Sequence, residues 1–208
     1  MSVTFEDCLA RLPLVAILRG ITPEEIAAAG EILTEAGFAM IEVPLNSPRP
    51  FDSIAHLARQ YADTCLVGAG TVTDVADVDR VADAGGRLLV MPHSDVAVIG
   101  RAVARGMVCL PGAATATEGF AALRAGAAAI KLFPAESLGM ATLSAWRSVF
   151  PRATRFLPVG GITPDNIPAW RDAGAAGFGL GSALYRAGMK MDELERNARR
   201  FAQAGDWR

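Results

Sequence analysis

The sequence predicts an α/β fold, a (β/α)8 TIM barrel with a short N-terminal helix, in which residues 1–208 form a single domain. Three observations carry this expectation. Eight short β-branched or apolar runs alternate with longer helical patterns. Four helical stretches close on Ala-Gly just before the next run, at 36–37, 84–85, 125–126 and 173–174, where glycine suits a left-handed C-terminal cap. No Ser/Pro-rich or charged low-complexity stretch divides the chain, so eight strand-helix units fall in one undivided sequence. An open doubly wound sheet is the rival arrangement, but the Gly-x-Gly-x-x-Gly fingerprint expected after its first strand is missing.

In order, the strand runs are 14–19 (LVAILR), 40–44 (MIEVP), 66–70 (LVGAG), 87–91 (RLLVM), 107–110 (MVCL), 128–133 (AAIKLF), 156–159 (FLPV) and 177–180 (GFGL). Helices fill the gaps. Two of them are expected to start on a Thr-x-x-Glu capping box, Thr22 with Glu25 and Thr115 with Glu118. A third start is read at Thr163-Pro164, a capping hydroxyl before a proline at the first helical position.

The composition narrows the function classes. At 51% hydrophobic, 208 residues suffice for one substantial core. A net charge of −2 without basic clusters argues against nucleic acid or a membrane surface as partner. No apolar run approaches the roughly 18 residues of a membrane span, and the first residues lack the pattern of a secretory signal. A cytoplasmic protein with a small-molecule partner is expected. Cys8, Cys65 and Cys109 sit among apolar neighbours and read as reduced core thiols. With two histidines, His56 on a helical stretch and His93 after the fourth strand run, and no carboxylate cluster, no metal site is expected. Packing explains Trp146, Trp170 and Trp207 as well as function would.

The chemistry concentrates on a lysine. Of 20 basic side chains only Lys131 and Lys190 are lysines, and Lys131 stands in the apolar run Ala-Ala-Ala-Ile-Lys-Leu-Phe-Pro. An ordinary lysine is uncharged about four times in ten thousand at pH 7, and desolvation that brings its pKa toward 7 raises that fraction about a thousandfold. Only the neutral amine attacks a carbonyl. Residues two apart on a strand share a face, so Ala129, Lys131 and Phe133 point into the barrel while Ile130 and Leu132 meet the helices. The same parity turns Arg19 inward with Val15 and Ile17, and Glu42 inward with Met40 and Pro44. Three ionisable groups from three strands thus converge at the C-terminal end, where active sites of such barrels are built. A structural ion triad, with Glu42 neutralising both cations, is the plainer alternative.

Two glycine loops point to phosphate. Gly160-Gly161 follows the seventh strand run and Gly181-Ser182 the eighth, where exposed backbone N–H groups and a following helix can hold an anion. Gly68-Ala69-Gly70-Thr71 closes the third run, and its threonine is placed to hold a small carboxylate.

Together Pro13-Leu-Val-Ala-Ile-Leu-Arg19, Ile41-Glu42-Val43, Gly68-Ala-Gly-Thr-Val72, Pro111-Gly112, Ile130-Lys-Leu-Phe-Pro134, Gly160-Gly161 and Gly179-Leu-Gly-Ser-Ala-Leu184 resemble the KDPG/KHG aldolase family over nearly the whole chain. The resemblance implies a trimeric barrel that needs no cofactor. It implies a Schiff-base lysine at Lys131 and a proton-shuttling glutamate at Glu42. It also implies contact with the pyruvate part of the substrate from Arg19, Thr71, Pro92 and Phe133, and phosphate binding at Gly160, Gly161, Gly181 and Ser182. The implied substrate is a phosphorylated 2-keto-3-deoxy sugar acid. The family's gluconate branch has Thr-Leu-Arg-Thr where this chain has Pro44-Leu45-Asn46-Ser47, and Pro-Thr where it has Pro158-Val159. Both departures look like the galactonate branch, making Asn46 and Val159 candidate specificity residues at C4. The gluconate isomer is the alternative substrate. A phosphosugar isomerase using Glu42 as base and a non-catalytic phosphate-binding barrel are the other readings. No role is assigned to His93 or Arg49.

Overall fold

The computed structural model describes residues 3–207. A short helix, α1 (Phe5–Arg11), opens on a capping box in which the Thr4 and Asp7 side chains each accept a bond from the other's backbone N–H. Strand and helix then alternate: β1 (Leu14–Ile17), α2 (Ile26–Glu35), β2 (Met40–Pro44), α3 (Pro50–Tyr61), β3 (Leu66–Gly70), α4 (Val75–Asp83), β4 (Leu88–Val90) and α5 (Val96–Ala104). The fifth run holds β5 (Val108–Leu110), and a further short strand, β6 (Gly112–Ala113), follows just beyond it. After them come α6 (Ala116–Arg124), β7 (Ile130–Leu132), α7 (Ala135–Val149), β8 (Phe156–Pro158), α8 (Ile167–Asp172), β9 (Phe178–Leu180) and α9 (Met191–Gln203).

All eight expected strand runs hold a strand, and every pairing is parallel. One sheet has the order β5-β4-β3-β2-β1-β9 and the other β6-β7-β8. Backbone bonds run between them at both edges. Val159 bridges Gly179 in parallel, Ala128 N donates to the Cys109 carbonyl at 3.0 Å, and Lys131 N donates to the Pro111 carbonyl at 2.9 Å. Pro111, which has no N–H to give a ladder, separates β5 from β6. The two-residue β6 was not foreseen because Gly-Ala carries no strand signal of its own.

The core has two layers. Phe5 and Cys8 of α1 pack with Val15, Met40, Leu66 and Leu157 on the inner face of the curled strands. Leu14, Ala16, Ile41, Ile130 and Leu132 face outward onto the helices. Side-chain parity therefore runs as the sequence predicted, with Ala129 inward and its neighbours Ile130 and Leu132 outward. Glycines 37, 85, 126 and 174 each have a positive φ directly after the Ala that caps the helix. The Thr115–Glu118 box is formed as expected.

Two helix starts differ from expectation. Helix α2 begins at Ile26; the Thr22 N–H and hydroxyl both donate to the Glu25 carboxylate, closing a turn ahead of the helix. Helix α8 begins at Ile167, and its proline is Pro168, because the Asn166 side chain accepts from Thr163 N and folds 163–166 into a preceding turn. Arg19 also lies in a turn two residues past the end of β1 rather than on the strand. The three cysteines are buried free thiols. Trp146 and Trp170 are core residues, and Trp207 packs its ring edgewise on Phe178. Among the described residues no helix is long and apolar enough to cross a membrane.

Candidate active site

Glu42 is pinned from both sides by the ladder, Cα to Cα with Ile17 of β1 and Gly68 of β3. Lys131 stands opposite Gly112 and Leu157 across the other sheet. Both are buried, 2% and 7% exposed. The Lys131 amine lies 4.4 Å from the centroid of the Phe133 ring. Burial lowers its pKa, the Glu42 carboxylate opposes that, and the Arg19 cation adds to the lowering. Desolvation is thus a larger influence than the neighbouring arginine. Lys131 forms no salt bridge with Glu42 or any other described carboxylate, so the ion-triad alternative finds no contact pair.

The Glu42 carboxyl is pushed up to about 7 by burial, against the pull of Lys131 and Arg19. Its Oε2 is buried without a hydrogen-bond partner. A carboxyl poised near neutrality can take and return a proton within one turnover. The room it occupies exists because residue 70 is glycine: a Cβ there would sit 1.3 Å from Glu42 Oε2. Gly70→Ala is therefore expected to displace the carboxylate, cutting kcat by about 100-fold and stability by about 1–3 kcal/mol. Removing the obstacle with Glu42→Ala should restore stability, a non-additivity of at least about 1 kcal/mol in a double-mutant denaturation cycle.

Above the two buried groups the turns after β1, β2 and β3 meet. Arg19 donates to Asn46 Oδ1 at 2.7 Å and to Thr71 Oγ1 at 3.2 Å, and Gly20 N donates to Ser47 Oγ at 2.9 Å. Thr71 has a φ of +56°, a costly conformation for a β-branched residue. That strain holds its hydroxyl at the guanidinium, whose remaining donors are free to meet a carboxylate in forked geometry.

A cleft of about 790 Å³ opens here. Arg19, Thr71, Pro92, Lys131 and Phe133 line one part of it. Val159, Gly160, Gly161, Gly181 and Ser182 line another. Ten of the twelve candidate site residues thus share one cavity. Glu42 lies beneath it, in a small apolar void shared with Ile17, Lys131 and Val159. Asn46 stands behind Arg19 and reaches the cleft through that arginine alone. Val159 caps β8 with its isopropyl group in the space Gly179 leaves free, where a Cβ would lie 2.6 Å from Val159 Cγ2. Pro92 lines the cleft, whereas His93 turns from it with a buried, unpartnered Nδ1. Arg49 is engaged outside, paired with Glu24 and, at 3.5 Å, with Asp52.

Sequence reasoning missed three contributors. Gly70 is expected only as the end of the third strand run, and its signal was a residue without a side chain closing the strand that lies beside the one carrying Glu42. Ser47 anchors Gly20 through a contact 27 positions away that no local pattern encodes. Arg186 lines the same cleft and lies in a loop without a motif.

Residues 5–199 match the family described as KDPG and KHG aldolase. The 2-dehydro-3-deoxy-6-phosphogalactonate aldolase of Escherichia coli K12 is 47% identical over 93% of this chain and 95% of its own. The 2-dehydro-3-deoxy-phosphogluconate aldolase of Zymomonas mobilis is 32% identical over 92% and 94%. A solved structure described as native KDPGal superposes with a TM-score of 0.92 at 47% identity, over 93% of this chain and 94% of that one.

Proposed function

The chain belongs to the KDPG and KHG aldolase family, and from that premise we propose that it is a class I aldolase cleaving 2-dehydro-3-deoxy-6-phospho-D-galactonate to pyruvate and D-glyceraldehyde 3-phosphate. The observation that carries this reading is a buried, unpaired lysine amine at the floor of a large cleft, with a carboxyl of pKa about 7 beneath it.

Neutral Lys131 attacks the C2 ketone, and loss of water leaves a protonated imine. Glu42 supplies and removes the protons of carbinolamine formation and takes the proton of the C4 hydroxyl as the C3–C4 bond breaks. The bonding electrons pass into the imine, giving a pyruvate enamine, while C4 leaves as the aldehyde carbon. Protonation at C3 and hydrolysis return pyruvate and the free amine. Arg19 and Thr71 hold the substrate carboxylate; Pro92 and Phe133 shield the pyruvyl carbons from water. Backbone N–H groups around Gly160, Gly161, Gly181 and Ser182 receive the phosphate. No metal ion or cofactor enters the chemistry.

The same reading closes the two sheets into one (β/α)8 barrel domain over residues 1–208, supported by the backbone bonds at both sheet edges. It includes a homotrimer, as the family resemblance implies, and the cytoplasmic location expected from the sequence pattern. Incubation with pyruvate and borohydride tests the mechanism: the peptide carrying Lys131 should gain a reduced pyruvyl group, and an unmodified enzyme that still cleaves substrate would sink it.

Preference for the galactonate isomer rests on Val159, an apolar group where a threonine would offer a hydroxyl to the substrate. Val159→Thr should move the ratio of kcat/KM values for the two C4 epimers about ten-fold toward the gluconate isomer, the worth of one hydrogen bond. Assays of pyruvate release from both purified epimers read that ratio directly.

A further inference from the structure

We propose that Arg186 is a substrate-binding residue that neutralises the phosphate, a role resting on the aldolase reading above. The glycine loops offer backbone donors and the hydroxyls of Thr163 and Ser182, a neutral cradle for a group of charge near −2. Among the described residues the cleft is lined by three cationic side chains and no acidic one. Two of them, Arg19 and Lys131, serve the carboxylate and the ketone. Arg186 is the third, four residues past Ser182.

The backbone of the loop carrying Arg186 is held in place, and its side chain is exposed. Gly181 O accepts from Leu184 N at 2.9 Å and from Tyr185 N at 3.0 Å, winding Gly181–Tyr185 into one tight turn. Tyr185 is buried, and Asn197 of α9 donates to the Leu184 carbonyl at 3.1 Å. On the far side Ala187 packs against Gly20, where a Cβ would come within 2.9 Å of the alanine methyl. The backbone of residue 186 is thereby fixed between the phosphate loop and the turn that bears Arg19. Its side chain is 67% exposed, and among the described residues its guanidinium pairs with Glu193 at 3.4 Å and no other carboxylate. Such an exposed pair is weak and easily exchanged for a bidentate contact to a dianion. Glu193 parks the arginine at the cleft mouth until phosphate arrives.

The test uses the reverse reaction of the intact enzyme, pyruvate with D-glyceraldehyde 3-phosphate or with unphosphorylated D-glyceraldehyde. Arg186→Gln should lower kcat/KM for the phosphorylated aldehyde about 10- to 100-fold, mostly through KM. The loss should be at least ten-fold larger than for the unphosphorylated aldehyde, and Arg186→Lys should recover part of it. Inorganic phosphate, titrated by calorimetry, should bind wild type more tightly than Arg186→Gln. Equal losses on both aldehydes, or unchanged phosphate binding, overturn the assignment. A wild type that traps no pyruvate overturns the aldolase reading instead, and the phosphate titration still decides whether Arg186 holds the anion.

Discussion

Lys131→Arg is expected to lower kcat by about four to six orders of magnitude, the scale of losing a covalent nucleophile. Arginine keeps the positive charge and the reach, but its guanidinium stays protonated and forms no imine. If Lys131 served only as an electrostatic clamp, as in a phosphosugar isomerase, this variant would retain substantial activity. Its buried position makes the fold a necessary control. Lys131→Met replaces a desolvated amine without an ion-pair partner by an apolar chain of similar length. That change should leave the thermal midpoint equal to wild type or higher while abolishing both pyruvate release and the borohydride adduct. An active methionine variant would end the mechanism.

Glu42→Gln should cost about 100- to 10,000-fold in kcat, the usual worth of a positioned acid-base group. It should also change how stability depends on pH. The carboxyl titrates near 4.5 in the unfolded chain and near 7 in the folded one. The folded state therefore binds this proton more tightly, and stability is lost as pH rises from 4.5 through 7. Glutamine carries no charge and escapes the penalty. Chemical denaturation should show the variant gaining on wild type across that interval, by about 3 kcal/mol above pH 7. A difference that is flat with pH would mean that Glu42 ionises in the fold as readily as in water.

Much of this site was legible because strands have a period of two. Once Lys131 and Glu42 were placed on strands, the apolar neighbours Ile130, Leu132, Ile41 and Val43 determined which way the charges faced, and the core is divided along that line. The Ala-Gly caps were equally readable, because only glycine takes the φ near +100° those ends require without strain. What escaped was whatever depends on contacts distant in sequence. Arg19 left its strand because its side chain is held by Asn46 and Thr71, 27 and 52 positions on. Thr22 gives its N–H and hydroxyl to Glu25, and Thr163 gives its N–H to Asn166, so both segments close turns ahead of the helices instead of capping them. Pro111 divides the fifth strand by removing a donor, and a residue-type pattern of four apolar letters could not announce that two more residues beyond the proline rejoin a ladder.

The contact between residue 70 and Glu42 also gives the site a direction of decay. A lineage in which residue 70 gains a side chain first must pass through a protein that is both less stable and less active, and selection would remove it. One that loses Glu42 first opens a hole that a methyl group at position 70 can then fill. Descendants that have abandoned the aldol chemistry should therefore include chains lacking the glutamate but retaining the glycine, while chains with the glutamate and an alanine at 70 should be absent. Gly70 would outlast the carboxylate it accommodates, as a vestige of the reaction.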